Sequence, residues 1–390
     1  MKKVFALVMV ALMVVSMFTG CKPAEKPNET TAAASVLKIG MTGPLTGDAA
    51  EYGVAVEAGM KIAVAEINAA AEKNGGLKLE LRAEDDQADG EKAVSAYKVL
   101  KDWGMQVFIG TVTSGACNAV APETVEDNMF LLTPSASALE VATAGKTTYQ
   151  MCFTDPNQGA SAAEVVKNKW PDAKVGIIYD SSDDYSSGLY EGFIAKAKEL
   201  GVNVVNETSF TKDTKTDLAT QVTQCKDKGA DLMFLPIYYT EASQILSYAD
   251  KHNYEFTYVG CDGMDGILNV EGFDKALAEG LALLTPFDAN ATDEATKSFV
   301  KAFKEMTGKE PNQFAADAYD CVYAVYQACT AAGIKGSESA SDVCEAMIKQ
   351  FNEMKFDGLT GKGMQWDEEG MISKAPAAVV ITNGIYVPIA

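Results

Sequence analysis

VLKIGMTGPLTG at residues 36–47, followed by YGVAVEAGMKIAVAEINAAA at residues 52–71, decides the fold of this chain. The apolar start of the first stretch predicts a strand over 36–41. Glycines and a proline then interrupt any regular pattern, so 42–47 is predicted to be a loop. In the second stretch, one helical face carries Val56, Gly59, Ile62, Ala63 and Ile67. This spacing predicts a helix over 52–71.

The same unit of strand, loop and helix is repeated along the chain. Further strands are predicted at 77–81, 107–110, 129–132, 175–179, 202–205, 232–235 and 256–259, and further helices at 93–100, from residue 114, and at 185–200, 218–228 and 241–252. Strands that alternate with helices predict an α/β fold, in which helices cover both faces of a parallel sheet. Ligands of such sheets bind beyond the carboxyl ends of the strands. The loops that follow the strands are therefore the candidate binding site.

The N-terminus predicts export. Lys2 and Lys3 precede an uncharged apolar run at 4–17, which is followed by Phe18-Thr19-Gly20-Cys21. This pattern is typical of a signal peptide, here residues 1–20, and the run is shorter than the about 20 apolar residues that a membrane-spanning helix needs. Phe18-Thr19-Gly20-Cys21 resembles the bacterial lipobox, although Leu is usual in place of Phe18, and the resemblance implies lipidation of Cys21. The alternative is an ordinary signal peptide that is cut elsewhere. Residues 21–35 have no apolar periodicity and predict a flexible tether.

The composition limits the partners. The formal charge of the 390 residues is −21, and loss of the two lysines with residues 1–20 would make it −23. An acidic surface repels phosphate backbones, so nucleic acid is not an expected partner. Seven cysteines remain besides Cys21, with no Cys-x-x-Cys pair. We interpret them as small buried side chains rather than metal ligands, and leave one disulfide open.

The predicted loops share hydroxyl groups, tyrosines and one carboxylate. Gly110-Thr111-Val112-Thr113-Ser114-Gly115 leads into a helix start, where free amides suit a carboxylate ligand. Thr133-Pro134-Ser135-Ala136-Ser137 adds hydroxyls and amides, and Asp262 follows a strand in the other half of the chain. Aromatic walls with polar tips are offered by Tyr52, Tyr185, Tyr238 and Tyr239. Together these groups predict a site for an α-amino acid.

Each polar residue also has a structural explanation. Ser114 fits an N-cap, Ser135 and Ser137 fit turn residues, and Asp262 before Gly263 fits a plain turn. Their joint occurrence at successive strand ends favours the binding site.

Enzyme sites are not predicted. His252, the only histidine, lies in a polar turn between a helix and a strand, and no serine stands in a G-x-S-x-G motif. The loop at 43–47 lacks the lysine of a phosphate-binding loop. The acidic stretch at 85–90 hints at a calcium loop, but its twelfth position is Ala96 instead of Glu. We therefore expect a binding protein that needs no cofactor or metal.

Several short motifs follow one another over residues 36–388. They are Ile39-Gly40-Met41-Thr42-Gly43-Pro44-Leu45-Thr46-Gly47 with Tyr52-Gly53, Ala65-Glu66-Ile67-Asn68, Asn74-Gly75-Gly76, Asp85-Asp86, Thr133-Pro134-Ser135-Ala136-Ser137, Tyr179-Asp180 with Tyr185-Ser186-Ser187-Gly188, and Gly363-Met364-Gln365-Trp366-Asp367-Glu368-Glu369-Gly370. In this order they resemble the leucine/isoleucine/valine-binding proteins of ABC transporters, which have the type I periplasmic binding protein fold. The last motif matches a hairpin of that family.

The resemblance implies a role for each polar site residue. Ser114 and Ser137 would bind the ligand carboxylate through hydroxyl and amide. Ser135 would offer its carbonyl to the ammonium group, and Asp262 stands where the family often has Glu or Asp for that group. Ser135 and Ser137 replace the Ala and Thr of leucine-type members, which leaves the preferred side chain open.

The resemblance also assigns the aromatic residues. Tyr185 and Tyr238 would close over the ligand from the second lobe, Tyr52 would cover it from the first, and Phe314 would contact its side chain.

The family's chain order implies two Rossmann-like lobes, each with a parallel central sheet, and three crossings between them. Lobe one is expected to take 36–156 and 285–357, and lobe two 157–284 and 358–390. Three helices are expected to return to lobe one, at 293–306, 314–332 and 341–350.

We accordingly predict an extracytoplasmic, lipid-anchored monomer that traps a small aliphatic amino acid and delivers it to a membrane permease. A sensory module is one alternative, although sensors usually continue beyond such a domain, whereas this sequence ends soon after Pro388. An amide- or urea-type ligand is another, and would not need Asp262.

Overall fold

A computed structural model of the protein describes residues 36–389, which build two lobes, each around its own β-sheet. The predicted signal peptide, the tether and Cys21 lie outside the described residues. No helix within 36–389 combines the length and the apolar character needed to cross a membrane. The seven cysteines of this part of the chain are all buried and unpaired.

The first sheet has five parallel strands in the order β2-β1-β3-β4-β5. Its strands are β1 Val36–Gly43, β2 Lys78–Asp85, β3 Val107–Ile109, β4 Leu131–Thr133 and β5 Thr148–Gln150. The three short strands are buried along their whole length, as expected where helices cover both faces. All five carboxyl ends lie at one edge of this sheet, because the strands are parallel.

The second sheet has seven strands in the order β12-β11-β10-β9-β8-β6-β7. These are β6 Lys174–Asp180, β7 Asn203–Phe210, β8 Leu232–Leu235, β9 Thr257–Gly260, β10 Ala282–Thr285, β11 Ala377–Thr382 and β12 Ile385–Pro388. The strands from β6 to β10 are parallel, whereas β11 and β12 are added antiparallel at one edge. The sheet of the second lobe is therefore mixed rather than wholly parallel.

Helices pack on both sheets. In chain order they are α1 Ala50–Asn74, α2 Gly90–Trp103, α3 Ser114–Glu126, α4 Leu139–Ala142, α5 Asp155–Lys169, α6 Asp184–Leu200, α7 Ala219–Asp227, α8 Tyr239–Lys251, α9 Glu294–Thr307, α10 Gln313–Ala332 and α11 Ala340–Glu353. Side-chain N-caps begin α2, α6, α9, α10 and α11. Short 3₁₀ helices at Asp262–Met264, Ile267–Asn269 and Lys275–Ala278 separate β9 from β10.

The chain passes between the two sheets three times, as the resemblance implies. It leaves the first sheet after β5, returns after β10 to lay α10 against α1, and re-enters the second sheet at β11. The residue bounds given above for the lobes stay a prediction. Trp366 Nε1 donates to the Gln150 carbonyl at 2.7 Å, and the Gln150 N–H donates to the Gly370 carbonyl at 2.9 Å. Because these bonds hold residues 366–370 beside β5, we propose that the third crossing follows Lys374 rather than residue 357.

Most predicted elements are confirmed with shifted ends. The strand predicted at 36–41 extends to Gly43, and the helix predicted at 52–71 runs from Ala50 to Asn74. The hairpin motif is present as antiparallel bridges that pair Phe356 with Met364 and Trp366 with Ile372. Four strands were not predicted, namely β5, β10, β11 and β12.

Candidate functional site

The start of α3 presents one hydroxyl whose hydrogen atom is free. Ser114 Oγ accepts the N–H groups of Ser137 and Ala138, both at 3.1 Å. With both lone pairs engaged, the hydroxyl can act only as a donor, and no acceptor for it is found within 36–389. The backbone N–H groups of the first helical turn also lack intrahelical partners. This helix start therefore offers a cluster of donors to an anionic group.

The loop between β4 and α4 is held from two sides. Thr133 Oγ1 accepts the N–H groups of Ser135, at 3.3 Å, and Ala136, at 2.9 Å, and donates to the Thr111 carbonyl at 2.7 Å. From the other side, Gln150 Nε2 donates to two carbonyls of the loop, those of Ala136 and Ala138. The loop is therefore fixed before any ligand binds.

In the second lobe, Asp262 opens the 3₁₀ helix that follows β9 and is 3% exposed. Tyr185 Oη donates to Asp262 Oδ1 at 2.7 Å and accepts the Gly263 N–H at 2.8 Å. A Cβ atom at position 263 would lie 2.6 Å from Tyr185 Oη, so only glycine allows this approach. The Asp262 N–H donates to Gln158 Oε1 at 3.1 Å. These hydrogen bonds hold the side chain and the backbone of Asp262 in place.

Aromatic rings join the two lobes around this carboxylate. Tyr52 on α1 lies edge-on to Tyr238 at 5.6 Å and to Phe314 at 4.7 Å, between ring centroids. Tyr185 and Tyr238 stack at 5.0 Å with an interplanar angle of 5°. Tyr52 Oη also donates to the Gly263 carbonyl at 2.5 Å across the lobes. The lobes are therefore in a closed arrangement.

A small cavity of about 20 Å³ lies between these groups. It is lined by Tyr52, Val112, Thr113, Ser114, Ser135, Tyr185, Tyr238, Asp262, Gly263 and Phe314. A cavity of this size holds little more than one water molecule, so the lobes must separate to admit a ligand. Its walls are mainly aromatic, with the Ser114 hydroxyl and the Asp262 carboxylate as the polar groups from the two lobes.

A second, wider cavity of about 370 Å³ opens beside the first, and Tyr238 lines both. Most of its lining residues are polar. Its Lys215 is engaged by Asp48 at 2.9 Å and by Glu241 at 3.1 Å. We place the site in the smaller cavity, because buried groups with free hydrogen-bonding capacity meet there.

The charge of the smaller cavity is negative. Burial raises the pKa of Asp262 to about 7, although the Tyr185 hydroxyl stabilises the charged form. Among the residues that line the cavity in the described chain, none carries a positive charge. The nearby buried amine of Lys374 is paired with Asp317 at 2.5 Å and is therefore not available. A cationic group on a ligand would supply the missing partner of Asp262.

The structure brings seven of the eight predicted ligand residues to one cavity, all except Ser137. Ser137 is buried next to it, and its N–H is engaged by Ser114 Oγ. The amide that the resemblance assigns to the ligand carboxylate thus has a protein acceptor here. Ser135 uses its hydroxyl to donate to the Val112 carbonyl at 2.7 Å. The ligand roles of these residues stay predictions.

Sequence reasoning missed Gln158, which supports Asp262, and Asp155, a buried carboxyl group next to Ser137. Both lie in the Asp155-Pro156-Asn157-Gln158-Gly159 stretch at the start of α5. Asp-Pro at a helix start is so frequent a structural pattern that it carries no signal of a site.

Comparisons with known proteins find similar chains and folds. The model of a family described as periplasmic binding protein matches residues 36–384. A leucine-, isoleucine-, valine-, threonine- and alanine-binding protein of Pseudomonas aeruginosa is 25% identical over 340 residues, which are 87% of each chain. The branched-chain amino acid transporter substrate-binding protein of Streptococcus pneumoniae, solved with isoleucine, is 25% identical with a TM-score of 0.80, covering 91% of this chain and 100% of that one.

A more distant solved structure shares the fold alone. It is a solute-binding protein of an ABC transporter from Rhodopseudomonas palustris in complex with benzoate. It is 18% identical, with a TM-score of 0.79, and covers 91% of this chain and 96% of that one.

Proposed function

Because the chain belongs to the periplasmic binding protein family, we propose that it is the substrate-binding protein of an ABC importer and binds a small amino acid in the cavity between its lobes. The ligand class is branched-chain or otherwise aliphatic. The family places such proteins outside the cytoplasm, and its members are binding proteins rather than enzymes.

One observation carries the proposal, namely the pairing of donors on one lobe with an unpaired acid on the other. The free Ser114 hydroxyl and the amides of α3 suit a carboxylate, and buried Asp262 suits an ammonium group. An α-amino acid carries both groups on its α-carbon. The aromatic walls suit a short apolar side chain.

Benzoate-type ligands fit less well, although a protein of the same fold binds one. A carboxylate without an ammonium group would satisfy Ser114 and leave Asp262 buried beside a second negative charge. A neutral amide or urea would likewise leave Asp262 without a cation. The carboxylate at 262 therefore favours an amino acid over both.

We further propose that the protein is anchored by lipid at Cys21 and acts as a monomer with a membrane permease. The short apolar run before Cys21 and the polar tether after it support the anchor. Metabolic labelling with a radioactive fatty acid tests it: the wild type should be labelled, and Cys21→Ser should not. Equal labelling of the two proteins, or none of the wild type, would contradict the anchor.

A thermal-shift screen of the purified chain without residues 1–20 tests the ligand class. The twenty amino acids, benzoate and urea are added one at a time at equal concentration. A ligand at 100 times its dissociation constant stabilises the folded protein by about 2.7 kcal/mol. We expect small aliphatic amino acids to raise the melting temperature most. A response to benzoate or urea alone would overturn the proposal.

A further inference from the structure

The hydroxyl group of Tyr185 is engaged by the protein itself. Its hydrogen is donated to Asp262 Oδ1 at 2.7 Å, and its oxygen accepts the Gly263 N–H at 2.8 Å. All three residues line the cavity between the lobes. A phenolic hydroxyl has a single hydrogen, so this one cannot also be donated to a ligand carboxylate. Tyr185 therefore offers its ring to a ligand and keeps its hydroxyl for Asp262.

The start of α6 holds Tyr185 in one position. The N-cap Asp183 accepts the Ser186 N–H at 3.0 Å, and Ser186 Oγ donates to the Pro236 carbonyl, just after β8, at 2.6 Å. Tyr185 itself is buried, and its ring stacks on that of Tyr238. A side chain that is fixed by a capped helix and a packed ring is a rigid support for a neighbouring group.

The Asp262 carboxylate depends on such a support. Rotation about the last side-chain bond of an aspartate has only broad preferences, so hydrogen-bond partners place its two oxygens. Tyr185 is the donor to Oδ1, and no donor to Oδ2 is found within 36–389. Gln158 Oε1 accepts the Asp262 N–H at 3.1 Å, which holds the backbone but not the carboxylate. The orientation of the carboxylate is therefore set by the Tyr185 hydroxyl.

We propose that Tyr185 is a positioning residue, whose hydroxyl holds Asp262 Oδ1 and leaves Oδ2 for the ammonium group of the ligand. The inference rests on the proposed amino-acid site. It alters the role that the resemblance implies, because the Tyr185 hydroxyl acts on the ligand only through the carboxylate. A hydrogen bond to the charged form also favours ionised Asp262, which a pairing with a cation requires.

A double-mutant cycle separates this role from that of an aromatic wall. Tyr185→Phe keeps the ring and removes the hydroxyl. Titration calorimetry with the amino acid that gives the largest thermal shift should show about tenfold weaker binding. The same substitution added to Asp262→Asn should weaken binding by less than about threefold, because no charge is left to be positioned. Equal weakening in the two backgrounds, or unchanged affinity of Tyr185→Phe, would overturn the proposal.

Tyr190→Phe is the matched control on the same helix. Tyr190 Oη also donates to a carboxylate, Glu207 Oε2 at 2.5 Å, but neither residue lines the cavity. The control loses the same kind of hydrogen bond and should bind the ligand as the wild type does. If Tyr190→Phe weakened binding as much as Tyr185→Phe, the loss would not come from Asp262, and the proposal would be wrong.

Carbon-13 NMR of the aspartate carboxyl groups tests the positioning without a ligand. The resonance that Asp262→Asn lacks belongs to Asp262. Burial raises the pKa of Asp262, and the Tyr185 hydroxyl opposes this rise. The midpoint of its titration should therefore move upward by about one pH unit in Tyr185→Phe and stay unchanged in Tyr190→Phe. The other ionisable groups that act on Asp262 or feel its charge are the same in these proteins, namely Asp317, Asp155, Tyr52, Tyr238, Cys152 and Cys261.

The NMR titration also distinguishes this inference from the proposed function. Tyr185 and Asp262 both follow strands of the second sheet, so their hydrogen bond does not depend on how the lobes are arranged. An unmoved midpoint would overturn the positioning role even if some amino acid binds. A raised midpoint without binding of any amino acid would overturn the proposed function and leave the hydrogen bond to Asp262 established.

Discussion

Replacement of Asp262 by asparagine removes the negative charge of the cavity and keeps the size of the side chain. Tyr185 still finds an oxygen acceptor, and Gly263 still donates to Tyr185. The perturbation is therefore confined to the charge that would pair with a ligand ammonium group.

The expected loss of affinity follows from the burial of the charge pair between Asp262 and the ligand ammonium group. Two unit charges 4 Å apart attract by about 4 kcal/mol at an effective dielectric constant of about 20. Truncation of one partner in a buried charge pair costs about 2–5 kcal/mol. We therefore expect Asp262→Asn to weaken amino-acid binding by about 30-fold to several thousandfold.

Titration calorimetry against the best amino acid from the thermal-shift screen gives the affinity. Asp250→Asn is the control, because it removes an exposed carboxylate from the same lobe. Folding is checked separately. Since burial raises the pKa of Asp262 to about 7, its charged form destabilises the unliganded protein increasingly as the pH rises from about 4 to 7. The unliganded variant should thus melt no lower than wild type at pH 7. Unchanged affinity would refute the role of Asp262 as the partner of the ligand ammonium group.

Three further substitutions test other parts of the site. Ser114→Ala removes the free donor and leaves two buried N–H groups unpaired. Calorimetry should show at least tenfold weaker binding, and urea titration should show a loss of about 1–3 kcal/mol in the free energy of unfolding. Unchanged values would show that Ser114 supports neither ligand binding nor stability. Tyr52→Phe removes the hydrogen bond to the Gly263 carbonyl across the lobes, and ligand binding should weaken about five- to tenfold. The control Tyr179→Phe should bind as the wild type does. Equal affinities of Tyr52→Phe and the wild type would contradict the part of Tyr52 in closure. Lys374→Met leaves Asp317 buried without its cation and should destabilise the protein by about 3–5 kcal/mol in urea. Addition of Asp317→Asn should restore part of that stability, and no restoration would mean that the pair is not the cause.

The sequence was sufficient for the architecture because apolar periodicity repeats with every strand and helix. Val36–Gly43 and Ala50–Asn74 follow directly from that pattern. The strand Thr148–Gln150 was missed because only its central residue is apolar, whereas the equally short β3 and β4 are mostly apolar and were predicted. β10 to β12 were missed because only short 3₁₀ helices follow β9, so the alternation of strands and helices that marks the earlier strands stops there. β11 joins β10, which is distant in sequence, whereas β11 and β12 form a local hairpin.

Part of the candidate site could also be predicted from the sequence. Ser114 and Asp262 were found because each follows a buried strand, where parallel sheets bind their ligands. Asp155 was not found, because only the fold shows that its carboxyl group is buried without a hydrogen-bond partner among residues 36–389. The engagement of the Ser137 amide by Ser114 Oγ is also a matter of geometry, and the role implied by resemblance did not anticipate it. Sequence patterns thus indicate which groups are near a ligand, whereas hydrogen-bond direction needs coordinates.

A crystal structure of the protein with the amino acid that stabilises it most tests the central claim most directly. We predict electron density for the ligand between the lobes, with its ammonium group within hydrogen-bond distance of the Asp262 carboxylate and its carboxylate at Ser114 and the start of α3. Density at another surface, or a ligand turned so that its carboxylate faces Asp262, would contradict the account.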